Sequence, residues 1–374
     1  MARFVDVRSA LAGLLLLSLS CTPEADPAPA DGPAAHDWHI RGGTVIDGTG
    51  RPAQTADVLV RDDTIAHVGA VAPDTITAER TFDASGLAVT PGFIDAHAHG
   101  DPLDTPRFRN VLAMGVTTLL LGQDGGGPEA NAFDEHLAAV QQARPFVNVG
   151  YLVGHNTLRR ESGIGYDTPT AAERRALAGL VAQGLDAGAF GLSMGLEYNP
   201  GTQAQMPELV AIAEPVAERN AVVMSHLRSE DVADIEDAVA ELLEQGRRAG
   251  AHVHASHLKI VLSTDTSQAT AVLDQMAAAR RHGPAVTADV YPYTASFTGI
   301  SILFPEWARP PNDYETVLDT RTDELRTYLT RRVRQRNGPD ATLFGTGRWT
   351  GLTLAEVADS TGRSPAEVLM ALGP

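Results

Sequence analysis

The sequence predicts an α/β protein, a parallel (β/α)8 TIM-like barrel with a small all-β element ahead of it. Two observations carry this. From Pro91 onward short apolar strands alternate with helical stretches, the texture of a parallel sheet wound by crossover helices, and seven such units suit a barrel better than an open sheet. Before Pro91 the chain holds short strands and turns with no helical periodicity. The open, doubly wound sheet is the alternative, and no Gly-rich phosphate turn follows the first barrel strand to support it. A length of 374 residues, 43 % of them apolar and 20 % charged, gives room for a real core. The net charge of −18 argues against a nucleic-acid partner, whose phosphates it would repel.

The first twenty residues stand apart. Arg3 and Arg8 precede an apolar run from Ala10 to Ser20, too short to span a bilayer and of the length of a secretory h-region. It stops at Cys21, the only cysteine, so internal disulfides are excluded. Leu17-Ser18-Leu19-Ser20-Cys21 resembles a bacterial lipoprotein signal. That resemblance implies acylation of Cys21 and an exported protein, periplasmic or anchored at the outer membrane, touching the membrane only through its lipid. An ordinary secretory signal with an incidental cysteine is the alternative. Residues 21–37, rich in Pro and Ala, read as a tether. A β element over 38–90 follows, with strands at 37–45, 56–60 and 64–68, a turn at Asp47–Gly50, and a further apolar stretch at 87–90 after Thr81–Ala84 and Gly86.

The barrel, 91–374, is expected to place strands at 92–95, 117–121, 147–153, 189–192, 221–225, 253–256 and 285–289. Helices fit between them at 132–143, 171–187, 206–219, 232–249 and 267–282, with further helices near 317–335, 354–360 and 365–372. Chemistry in such barrels gathers at the C-terminal strand ends. His97 and His99 follow the first strand, and two residues apart in extended chain their imidazoles reach the same side. Asp124 sits in Gly122-Gln-Asp-Gly-Gly-Gly127 after the second strand, either a hard carboxylate ligand or a loop aspartate satisfying backbone N–H groups. His226 ends the fifth strand and His257 the sixth. Four histidines so placed, with a carboxylate, suit zinc, and manganese or iron would tolerate them. His155 ends the third strand and could line the site; His254 is undecided between a structural and a functional place. The remaining histidines read as surface or β-element residues.

Thr90-Pro-Gly-Phe-Ile-Asp-Ala-His-Ala-His-Gly-Asp101 resembles the signature of the amidohydrolase superfamily. Further stretches resemble one branch of it, the N-acyl-D-amino-acid deacylases (D-aminoacylases): Gly154-His-Asn-Thr-Leu-Arg159, Gly195-Leu-Glu-Tyr-Asn-Pro-Gly201, His226-Leu-Arg-Ser-Glu230, Ser256-His-Leu-Lys259 and Asp289-Val-Tyr-Pro-Tyr293. The resemblance implies a metal-dependent hydrolase barrel, a β-sandwich for the small domain, and amide hydrolysis of N-acyl-D-amino acids with one or two divalent ions, zinc above all. It implies that His97 and His99 bind one metal and His226 and His257 the other, with Asp124 where well-known members carry a cysteine ligand. It also implies that Tyr198, Lys259 and Tyr291 contact the substrate; Arg228 is a second cationic candidate, with a structural ion pair as the equal alternative.

The superfamily's proton-transferring aspartate ends an eighth strand, and no aspartate here has that context. The barrel is therefore expected to lack its eighth strand, the catalytic base to lie beyond residue 374, and a chain of this length to be poorly soluble and inactive. Two rivals remain. Cyclic-amide or dipeptide hydrolases of the superfamily often bridge their metals with a carboxylated lysine on the fourth strand, and Gly191-Leu-Ser-Met194 has none. The other rival is a non-catalytic metal-binding lipoprotein.

Overall fold

The computed structural model describes residues 34–72, 75–263 and 265–374. The export segment, Cys21 and the tether up to residue 33 lie outside the described residues. The chain divides at Pro91–Gly92 into two compact units.

The first unit contains β1 (Ala34–Val45), β2 (Gln54–Arg61), β3 (Thr64–Gly69), β4 (Ile76–Asp83) and β5 (Ala88–Val89). They form one sheet in the order β3-β2-β1-β4, with β5 also paired to β1. β1 begins earlier than its composition suggests: Ala34, Ala35 and His36 pair in parallel with Ile76, Thr77 and Ala78, so the end of the expected tether is strand. Val45, Ala56 and Val58 are the core of this unit, with Ile40, Val60 and Val89 against them. Among the described residues the unit is a single sheet, and they do not supply the second layer of the expected sandwich.

The second unit is a parallel β/α structure. Its strands are β6 (Phe93–Asp95), β7 (Val116–Leu121), β8 (Asn148–Tyr151), β9 (Val153–Gly154), β10 (Gly191–Gly195), β11 (Val222–His226), β12 (His252–Ala255) and β13 (Val286–Ala288). They pair in two sheets, β6-β7-β8 and β9-β10-β11-β12-β13, in parallel throughout. β8 and β9 flank Leu152 in one extended stretch, so the unit has seven strand positions, all seven that the alternation marks. Every residue of β10 is buried, as expected of a strand covered on both faces.

The helices are α1 (Arg109–Ala113), α2 (Phe133–Ala143), α3 (His155–Glu161), α4 (Ala171–Asp186), α5 (Met206–Glu218), α6 (Ile235–Ala249), α7 (Thr266–His282), α8 (Tyr314–Gln335), α9 (Leu354–Thr361) and α10 (Pro365–Leu372). Local sequence explains several ends. Thr170/Glu173, Thr353/Glu356 and Ser364/Glu367 are capping boxes, each satisfying two otherwise orphaned N–H groups. Gly250 closes α6 in the left-handed conformation that glycine adopts without strain. α6 starts at Ile235 rather than at the expected Val232, because Asp231 and Val232 pair with Val261 as extended chain. One large core joins strands β7–β13 to α2–α7. Leu303, Phe304, Leu325, Leu329, Val357, Val368 and Leu369 form a second apolar cluster among α8, α9 and α10. Arg332 of α8 meets Asp231 after β11 at 2.5 Å.

Candidate metal centre

Asp124 is the hub of the strand-end cluster. Its oxygens lie 3.6 Å from His97 Nε2, 3.2 Å from His99 Nε2, 3.3 Å from His257 Nε2 and 4.0 Å from His226 Nδ1. The five residues the sequence marks as ligands thus converge from the ends of β6, β7, β11 and β12. His226 Nδ1 and His257 Nε2 are 3.0 Å apart.

The backbone is bent to achieve this. Asp124 and His257 both have positive φ, 54° and 37°, a region that non-glycine residues occupy where surrounding structure compels it, often at functional sites. The Asp124 loop is held by Ser193 of β10, which donates to Gly122 O at 2.5 Å and accepts from Gly125 N at 3.1 Å. Glycine at 195 is required by this approach, since a Cβ there would stand 2.1 Å from the Asp124 carbonyl oxygen.

The nitrogens that face away from Asp124 meet a second ring of carboxylates. His226 Nε2 is 3.0 Å from Glu197 Oε2, and His257 Nδ1 is 2.8 Å from Glu230 Oε1. His97 Nδ1 is 3.6 Å from Asp289 Oδ2. Asp289, just past β13, also accepts from the His257 N–H at 2.5 Å and lies 2.7 Å from His254 Nε2. Second-ring carboxylates of this kind fix the tautomer and tilt of ligating histidines. The spacing of the histidines does not reveal Glu197, Glu230, Asp289 or His254. Their sequence signals are a place within or close after a strand and, for Glu197, Glu230 and Asp289, a position inside stretches that resemble the family.

The charges follow from this packing. Burial opposes ionisation of Asp124, but the His257, His97 and His99 imidazoles outweigh it and hold its carboxyl far below the usual range. Burial likewise opposes protonation of His97, and Asp124 and Asp289 overcome it, raising His97 to about 9. His257 is raised in the same way by Asp124 and Glu230 against its burial. Asp289 and Glu230 are held low by their histidine partners despite burial. Both ring nitrogens of His97 are buried without a hydrogen-bond partner. Two triads, His97–Asp124–His257 and His226–Glu230–His257, have donor atoms close enough to share an ion. Imidazole and carboxylate donors converging on orphaned nitrogens fit a divalent metal such as zinc.

Of the residues expected near a substrate, Tyr198 packs on His226, with ring centroids 4.4 Å apart, and shares a hydrogen bond with Thr298 at 3.0 Å. Lys259 lies 2.5 Å from Glu230 and 5.5 Å above the Tyr291 ring. Arg228 is not brought into the cluster: it is bonded to both Glu241 oxygens and donates to the carbonyls of Thr202 and Ala204, a structural clamp. His155 does not line the site either. It is fully buried on Glu208, which also binds Arg159.

A parallel β/α unit with imidazoles and a carboxylate gathered at its strand ends defines a class, the barrel of the amidohydrolase superfamily. Comparison with known proteins narrows it. No family model matches the chain. An N-acyl-D-glutamate deacylase of Alcaligenes xylosoxydans xylosoxydans is 35 % identical over 333 residues, 82 % of this chain and 66 % of that protein. Among solved structures, N-acyl-D-glutamate deacylase from Bordetella bronchiseptica, complexed with zinc and a phosphonate inhibitor, matches with TM-score 0.72 and 32 % identity over 89 % of this chain and 69 % of that one. A D-aminoacylase described as defining a novel subset of amidohydrolases matches with TM-score 0.73 and 30 % identity, over 91 % and 70 %. The chain belongs to the N-acyl-D-amino-acid deacylase (D-aminoacylase) family of the amidohydrolases, and it has their TIM-barrel fold. It spans about two thirds of the length of the curated deacylase.

Proposed function

We propose that the protein hydrolyses the amide bond of N-acyl-D-amino acids, releasing a D-amino acid and a carboxylate. The observation that carries this is the ring of four imidazoles around Asp124, with both His97 nitrogens buried and without a hydrogen-bond partner. His97, His99, Asp124, His226 and His257 would hold one or two divalent ions, zinc by the chemistry of the donors. When bound, the metal lowers the pKa of a water and polarises the scissile carbonyl. Tyr198, Lys259 and Tyr291 border the same space. Lys259 is the cation suited to the substrate's carboxylate, as a compact point charge, and Tyr198 covers His226 and limits water there. The deacylase names of the relatives support this substrate class.

The test is product release from the zinc-loaded full-length protein, offered paired D and L isomers of N-acyl amino acids. D-amino acid should appear, the L isomers should be spared, and a chelator should abolish turnover. Stoichiometric zinc without release of any D-amino acid would overturn the proposal.

A further inference from the structure

One carboxylate in this cluster is shared between two donors. Glu230 is buried at 7 % exposure, and its Oε1 lies between His257 Nδ1 at 2.8 Å and Lys259 Nζ at 2.5 Å. Lys259 Nζ is itself 3.2 Å from His257 Nδ1. The His257 backbone is fixed independently, by its bent φ and by Asp289 on its N–H. What Glu230 sets is therefore the imidazole ring: which nitrogen carries the proton, and how much negative charge lies behind it.

We propose that Glu230 is a positioning residue that couples the metal ligand His257 to the cation Lys259. Both donors draw on the charge of the same buried oxygen, so each receives less of it than it would alone. While the ammonium holds Glu230, less of its charge supports His257 Nδ1, and Nε2, facing Asp124 and His226, is a poorer metal donor. When a ligand's carboxylate draws the ammonium away, Glu230 belongs to His257 alone and Nε2 becomes the better donor. Binding at Lys259 and metal binding at His257 then reinforce one another, and by linkage they do so reciprocally. That Lys259 receives the substrate carboxylate rests on the function proposed above. The coupling between Glu230, His257 and Lys259 does not.

The test reads zinc affinity, by competition with a chromogenic chelator, in the full-length protein and three variants: Glu230→Gln, Lys259→Met and the double variant. Glu230→Gln should weaken zinc binding about 10- to 100-fold, the usual effect of losing a carboxylate behind a ligating histidine. Lys259→Met should tighten it, and the gain should be at least about fivefold larger with Glu230 intact than in the Glu230→Gln background, the scale of a real coupling between sites. Simple repulsion between ammonium and metal would give equal gains in both backgrounds, and equal gains would overturn the proposal. Zinc affinity unchanged in Glu230→Gln would overturn it too. Glu230→Asp should recover part of the loss, which a general folding defect would not allow. If Glu230→Gln fails to fold, Glu230→Asp takes its place in the cycle, and equal zinc-affinity gains from Lys259→Met in the two backgrounds sink the coupling. No outcome depends on turnover, so this idea and the deacylase reading fail separately.

Discussion

The family resemblance implies a soft thiolate where this chain has the hard carboxylate of Asp124, and the geometry shows how many side chains meet there. Four imidazoles within 4.0 Å share its charge. Asp124→Asn keeps the shape and removes that charge, so zinc affinity should fall by at least about 100-fold, beyond what loss of a second-ring group costs; titration with a chelator-buffered metal measures it, and a change below about threefold would mean that Asp124 is only a loop residue. His97 supplies a pH signature. Its folded value of about 9 lies above the ordinary 6.5, so in metal-free protein its stabilisation is complete below pH 6.5 and is lost as pH rises toward 9. Metal needs the neutral ring. Apoprotein melting temperature should therefore drop from pH 6.5 to 9 while zinc affinity rises over the same range, and His97→Gln should flatten the apoprotein trend. At this scale the five residues that cluster were singled out by the sequence, and the carboxylates behind them were not. His97, His99, Asp124, His226 and His257 stand at strand ends, where the strand-helix alternation places them. Glu197, Glu230 and Asp289 act on the far side of each ring, across strands that only the fold brings together.

The elements explain why so small a set of residues holds a site. Seven strand positions were readable because each is a short apolar run between helical stretches. α1 and α3 were not, since five to seven residues are too few to display a 3.6-residue period, and α3 starts directly after its strand's last residue with no side-chain cap. α3 nevertheless anchors the core, because its His155 and Arg159 are fully buried and both engage Glu208 on α5. Glu208→Gln leaves Arg159 charged without a counter-ion in the core, at a cost of about 3–5 kcal/mol, visible as a lowered denaturant midpoint with an unchanged slope; a loss under about 1 kcal/mol would show the pair to be replaceable by water. The β10 end makes a different demand. Gly195→Ala would drive its methyl group into the Asp124 carbonyl and the Tyr198 ring. Backbone yields less readily than side chain, so the variant should lose about 1–3 kcal/mol and zinc affinity together. Stability lost with zinc binding intact would mean that the loop relaxes without moving Asp124.

At the scale of the whole molecule, charge bears on where the protein resides. A net charge of −18 is repelled by anionic lipid, and surface electrostatics draw proteins to membranes only through clusters of Lys and Arg. Surface charge thus gives the protein no route to a membrane, whereas a covalent lipid would. The apolar run ending at Cys21 is the sequence's own argument for that, and stable anchoring takes at least two acyl chains or an acyl chain with a second signal. We accordingly propose that the protein is an exported, lipid-anchored enzyme. Expressed in a bacterium with labelled palmitate, it should take up the label, sediment with membranes, and stay there through a wash in 1 M salt, which screens charge interactions to about 3 Å. Cys21→Ser should abolish the label and release the protein into the soluble fraction. Release by salt alone would point instead to a peripheral electrostatic contact, and unlabelled soluble protein from the unaltered gene would reduce the segment to an ordinary export signal with an incidental cysteine.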